Sequence, residues 1–275
     1  MARASILAFG LFPLILTTNC LAALIGTAAQ PWIQNFNSMP SASPASFSAP
    51  LPADWRAGLS TSTERAVFAA PSGWTSTANK TTVDTASTSY STTGIYNLGS
   101  STDASDRALG FLTDNSKKAG NLYAMLTVPP DSGLLDGVRV GFDVEQYRAG
   151  TNTNGFAVQM FWSRTGSGPW TSAGDAFRVT FAAGATGGTG APRASITVEP
   201  TAIAVTLSPG EALYLAWNFT LATSTLANPT MPVLGLDNVT IAGIAPSNAP
   251  EPAAGAAAAA IATTALLRRR RPRGG

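Results

Sequence analysis

The stretch Val138-Arg139-Val140-Gly141-Phe142-Asp143-Val144-Glu145 decides the fold. Val138, Val140, Phe142 and Val144 alternate with Arg139, Gly141, Asp143 and Glu145. That period of two puts apolar side chains on one face of an extended strand and leaves the other face wet. Phe156, Val158, Met160 and Trp162 repeat the pattern, as do Leu213, Leu215, Trp217 and Phe219, and Val239 and Ile241 belong to a last strand. Turn-forming segments such as Pro129-Pro130-Asp131-Ser132-Gly133 and Ser208-Pro209-Gly210 separate these runs. No segment shows a convincing amphipathic helical period. The expectation is an all-β, antiparallel β-sandwich of jelly-roll type over residues 30–244. Its main part is residues 91–244. Residues 30–90 are irregular, with a first strand near Phe36 followed by long loops or partial disorder, and 245–249 form a linker.

Composition narrows the function classes. The 275 residues allow one large domain or two small ones, and only 12% are charged, about half the usual share. Histidine is absent, which removes Ser-His-Asp and Cys-His catalysis, histidine metal sites and imidazole switches together. Cys20 is the only cysteine and lies in the N-terminal apolar segment, so no internal disulfide forms. The formal charge of +2 belongs to the ends: Arg3 at one, and Arg268, Arg269, Arg270, Arg271 and Arg273 at the other. The body between them is net negative and carries no nucleic-acid footprint.

Residues 1–29 read as a signal peptide with an N-terminal signal helix: Arg3 is the positive flank, Ile6 to Leu16 the apolar core, and Thr27-Ala28-Ala29 the small-x-small site cleaved before Gln30. A retained anchor and a lipoprotein built on Cys20 are the alternatives. Residues 245–275 have three parts in fixed order: Pro250-Glu251-Pro252, the Ala-rich apolar run Ala253 to Leu267, and the arginine cluster. As a short hydrophobic helix the run reaches about 22 Å, against a hydrocarbon core of about 30 Å. It is therefore a weak permanent transmembrane helix but a workable transient stop, with the arginines on the cytoplasmic side and the body outside. A low-complexity disordered tail is the bland alternative.

This order resembles the PEP-CTERM sorting signal of bacterial envelope proteins. The resemblance implies recognition by an exosortase, a membrane cysteine transpeptidase that cleaves near Pro250-Glu251-Pro252, and delivery to the cell surface or an exopolysaccharide matrix. The run here is poorer in Leu and Gly than the family's, and Pro272-Arg273-Gly274-Gly275 extends it. Ser105-Asp106-Arg107-Ala108-Leu109-Gly110, Glu145-Gln146-Tyr147-Arg148 and Gly235-Leu236-Asp237-Asn238-Val239 are similar to segments of an ectodomain recurrent in such proteins, with Tyr147 where that family has Trp. That resemblance spans roughly residues 94–244 and implies a jelly-roll-like sandwich without a defined activity.

Four sets of residues are candidates for chemistry. Asp237 shares parity with Val239 and Ile241, so it starts the last strand on the inward face, where a carboxylate needs a partner. A structural Ca²⁺ or local turn amides would supply one. Asp143 and Glu145 share a strand face and invite comparison with glycosidase carboxylate pairs, but a solvated ladder with Arg139 and Arg148 accounts for them more simply. Arg107 and Arg148 are expected to pair with such acids across the sheet. Trp55, Trp74 and Trp170 lie in loop-like contexts and are the candidates for glycan contact, with Tyr123 and Tyr147 behind them, while Trp162 and Trp217 belong to the core by parity. No catalytic residue is assigned and no cofactor is expected beyond the structural calcium. The reading is an exported, non-enzymatic bacterial surface or matrix protein, structural or adhesive in exopolysaccharide. Its partners are signal peptidase and the export machinery, an exosortase, and extracellular polysaccharide. A carbohydrate-binding module with a defined glycan is the alternative, and a glycan-active enzyme the third.

Overall fold

The computed structural model describes residues 23–39, 49–60, 77–78, 80–81, 93–99, 105–113, 117–153, 155–184, 191–222 and 232–247. Most of the signal segment, Trp74, and the whole Pro250–Gly275 tail with its motif and arginines lie outside them. Among the described residues no helix is long and apolar enough to cross a membrane.

Sixteen strands appear among the described residues. They are β1 (Ala23–Leu24), β2 (Trp32–Gln34), β3 (Ala49–Pro50), β4 (Trp55–Ser60), β5 (Thr77–Ala78), β6 (Lys80–Thr81), β7 (Gly94–Gly99), β8 (Arg107–Leu112), β9 (Ala119–Thr127), β10 (Leu135–Arg148), β11 (Phe156–Ser163), β12 (Thr171–Ser172), β13 (Arg178–Phe181), β14 (Ala194–Leu207), β15 (Ala212–Leu221) and β16 (Val233–Ile244). Two seven-stranded sheets hold most of them. One runs β1-β9-β15-β11-β12, with β4 also on β9 and β13 also on β11. The other runs β14-β10-β16-β8-β7-β6, with β2 also on β16, while β3 and β5 form a separate pair. The long strands pair antiparallel, and from β8 to β11 the chain alternates between the sheets.

The three apolar runs do what their period demands. Val138, Val140, Phe142 and Val144 of β10 face Phe156, Val158 and Met160 of β11 and Leu213, Leu215, Trp217 and Phe219 of β15 in one core cluster, with Trp162 half-buried at its margin. Burying such a side chain contributes about 1.5–3 kcal/mol each, so the core is the principal source of stability in a chain without disulfides. The turns predicted from Gly and Pro also form: the Glu211 N–H bonds the Ser208 carbonyl at 3.0 Å around a left-handed Gly210 (φ 78°), and the Ser132 N–H bonds the Pro129 carbonyl at 3.1 Å.

Two expectations change. The strand expected near Phe36 is β2, a few residues earlier; Phe36 itself is a buried left-handed residue (φ 52°) that turns the chain. The outer face of β10 is wet at Arg139 but not throughout, because Glu145 and Tyr147 are buried. Tyr147 lies over Gly235, where an added Cβ would sit 2.7 Å from Leu98 Cδ1, 2.8 Å from Ala108 Cβ and 3.4 Å from Tyr147 Cε2. Glycine at 235 lets a second apolar layer form on the outside of this end of the sheet.

Candidate functional site

Asp237 is 2% exposed, as expected of it, but on the other side of its sheet. In the β10–β16 ladder Gly141 pairs with Thr240 and Asp143 with Asp237, so β16 carries one extra residue. Asn238, left-handed at φ 48°, absorbs it; asparagine tolerates that conformation where a branched residue would not. The bulge resets parity. Leu236 and Val239 both reach the core, and Asp237 turns outward beside Glu145.

There one carboxylate oxygen from each of Asp106, Glu145 and Asp237 lies within 4.8 Å of the other two. Asp106 is exposed at the rim and the other two are buried. Tyr147 donates its phenol hydrogen to Glu145 Oε2 at 2.6 Å. Asp237 Oδ1 is buried and has no hydrogen-bond partner. Burial is the main cause that lifts the Asp237 carboxyl to about 8, opposed by the Asn238 backbone N–H and helped by the charges of Glu145, Asp106 and Asp143. Burial raises Glu145 too, against the Tyr147 hydrogen bond, and raises the Tyr147 phenol.

The rim is held from a distance. Asn37 donates its Nδ2 hydrogen to the Ser105 carbonyl at 2.6 Å and accepts the Arg107 backbone N–H on Oδ1 at 2.8 Å. It thus clamps the backbone on both sides of Asp106. Sequence reasoning missed Asn37 and Asp106 as members of this site: they come from two chain segments far from β10 and β16, and the pairing of both β2 and β8 with β16 unites them.

The other candidates separate. Asp143 and Glu145 do share a strand face, but not a solvated ladder: Asp143 accepts from Thr197 Oγ1 at 2.6 Å and Asn238 Nδ2 at 2.8 Å, while Glu145 is buried against Tyr147. Arg107 is fully buried and donates from Nε to Asn97 Oδ1 at 3.1 Å, and burial lowers its pKa.

Trp55 is a core residue, not a glycan platform: it is fully buried, stacked on Trp217 at 5.4 Å and met edge-on by Phe36 at 4.8 Å. Its loop-like sequence context concealed a strand start, β4. Tyr147 and Tyr123 are buried as well. Trp170 alone of the described candidates keeps partial exposure, tilted against Tyr123 at 5.8 Å and packed beside Phe161 and Ala216. Tyr123 also accepts a hydrogen bond from Asn121 Nδ2 at 2.9 Å, and Asn121 Oδ1 accepts from Asn218 Nδ2 at 2.7 Å. This amide-aromatic row on the outer face of the other sheet was not read from the sequence, where its members are isolated polar positions within apolar strands.

Among known proteins, no family model and no curated protein matches the chain. The K3 cleaved adhesin domain of Lys-gingipain from Porphyromonas gingivalis w83 is similar at 13% identity and TM-score 0.36, over 77% of this chain and 98% of that one. TmCBM61, solved in complex with β-1,4-galactotriose, is similar at 12% identity and TM-score 0.26, over 50% of this chain and 70% of that one. The enzymatically active domain of bacteriophage CBA120 tailspike protein 4 is similar at 11% identity and TM-score 0.27, over 50% of this chain, which spans only 16% of the tailspike chain. All three likenesses are too distant to carry a function across.

Proposed function

We propose that the chain is an exported, non-enzymatic β-sandwich displayed at the bacterial cell surface or in the extracellular matrix, with a structural or adhesive part in exopolysaccharide. The reading rests on the fixed order of Pro250-Glu251-Pro252, apolar run and arginine cluster at one end, opposite a charged-then-apolar segment at the other. Delivery is by the export machinery and signal peptidase, and release from a transient membrane stop by an exosortase-type transpeptidase. The strand order supports a jelly roll: β8-β16-β10-β14 in one sheet and β9-β15-β11-β13 in the other are the first, eighth, third and sixth and the second, seventh, fourth and fifth of eight strands, the double-sheet order of that architecture. The placement of Glu145 supports a non-enzymatic role, because a general acid must reach its substrate and Glu145 is buried and bonded to Tyr147.

A carbohydrate-binding module is the second reading, favoured by Trp170, which alone of the described candidate aromatics keeps partial exposure. Co-sedimentation of the purified protein with exopolysaccharide from its own source tests both. Retention lost in Trp170→Ala supports a defined glycan site, retention unchanged in that variant supports general matrix adhesion, and no retention at all contradicts both.

A further inference from the structure

We propose that Asp106, Glu145 and Asp237 bind a calcium ion that locks the outer face of the β10–β16–β8 corner. Two independent observations carry this. The three carboxylates converge within 4.8 Å. Separately, Asp237, whose side chain is 2% exposed and belongs to that cluster, leaves its Oδ1 buried without a hydrogen-bond partner. A buried carboxylate oxygen left unpaired is costly unless a cation satisfies it.

The donor set selects the ion. It is all oxygen, in a chain without histidine, and so suits a hard cation. Calcium takes its oxygens at about 2.3–2.6 Å, so ligands across the ion lie up to about 5 Å apart, whereas magnesium demands about 2.1 Å and near-octahedral order. Asp106, on the exposed rim, gives the ion a route in and leaves its outer positions to water. Asn37 is a positioning residue, fixing the backbone that carries Asp106.

The full-length protein, freed of metal with a chelator and dialysed, is titrated with calcium chloride and with magnesium chloride by calorimetry and thermal melting. Calcium is expected to bind at one site and, at about 100 times its Kd, to raise Tm by roughly 5–10 °C. Asp237→Asn, which keeps the volume and removes the buried charge, should fold and lose the calcium response. Asp106→Asn, at the exposed rim and harmless to the core, should weaken binding about tenfold or more. Absence of heat and of a Tm shift, or wild-type affinity in both variants, overturns the proposal. An equal response to magnesium overturns the choice of calcium.

A different observation carries a second proposal, about processing. We infer that the mature chain begins at Ala23. Ala23–Leu24 pair in parallel with Leu126–Thr127 of β9, Ile25 is buried, and the Gly243 N–H bonds the Gly26 carbonyl at 2.8 Å. Cleavage before Gln30 would discard all of this. Cys20-Leu21-Ala22 is also a small-x-small triplet, closer to the apolar Ile6–Leu16 core. Asp54 accepts the Ala23 backbone N–H, and its Oδ1 is buried without a partner. Hydrolysis of the Ala22–Ala23 peptide bond by signal peptidase adds water across it, giving a carboxylate on Ala22 and an ammonium on Ala23 that faces Asp54. N-terminal sequencing of the exported protein should read Ala23-Leu24-Ile25. A start at Gln30, a lipid-blocked Cys20 or an uncleaved segment overturns this.

Discussion

Tyr147 donates a 2.6 Å hydrogen bond to Glu145, two residues earlier on the same face of the same strand, and both side chains are buried. The bond ties the acidic corner to the apolar layer over Gly235. Tyr147→Phe keeps the ring and removes the donor, leaving a buried carboxylate oxygen unpaired. We expect a folded protein destabilised by about 1–3 kcal/mol, read from urea unfolding midpoints.

Asp237 makes the metal-free protein sensitive to pH. Its folded carboxyl is lifted from the ordinary 3.8 to about 8, so the folded state holds a proton that the unfolded chain releases. That contribution is complete below about pH 4 and disappears as pH rises through about 8. Asp106, Asp143 and Glu145 act in the same direction on this group, and Asp237 in turn helps raise the Tyr147 phenol. In the presence of chelator, stability should fall between about pH 5 and 8 in the wild type and fall much less in Asp237→Asn. Equal slopes in the two proteins would contradict the placement.

Trp55 links the sheets through Trp217, which meets Phe142 of β10 edge-on at 5.8 Å. Trp55→Ala should cost about 3–5 kcal/mol. Thermal unfolding checks it: a variant that melts like the parent would return Trp55 to the surface.

Gly235 has no room for a methyl group. Gly235→Ala should destabilise by about 1–3 kcal/mol through overpacking, with Leu98 and Tyr147 forced to move. Near-ultraviolet circular dichroism should register the displaced tyrosine, and an unchanged spectrum and midpoint would argue against the second layer.

Asn37→Ala removes no carboxylate yet unclamps Asp106. It should weaken calcium binding severalfold while leaving the pH dependence of the metal-free protein largely intact. Calorimetry on the variant checks this, and unaltered affinity would deny Asn37 its positioning role.

The strands of the sandwich were legible because alternation survives translation into burial almost unchanged: Val138, Val140, Phe142 and Val144, and Leu213, Leu215, Trp217 and Phe219, all enter the core. The site was only half legible. The burial of Asp237 followed from pattern, but its face did not, since a single extra residue at Asn238 reverses parity and leaves no periodic trace. Asp106 and Asn37 were invisible, being brought together by strand pairing across long sequence separations. Trp55 misled because Pro and Asp beside a tryptophan read as loop, while here they cap the entry to a buried strand.

The proposal that the protein is sorted to the surface is the central claim, and intact mass spectrometry of the chain recovered from its native envelope tests it most directly. The account predicts a mass that ends near Pro250-Glu251-Pro252, without the apolar run and without Arg268, Arg269, Arg270, Arg271 and Arg273. A mass that still includes the five arginines would contradict it.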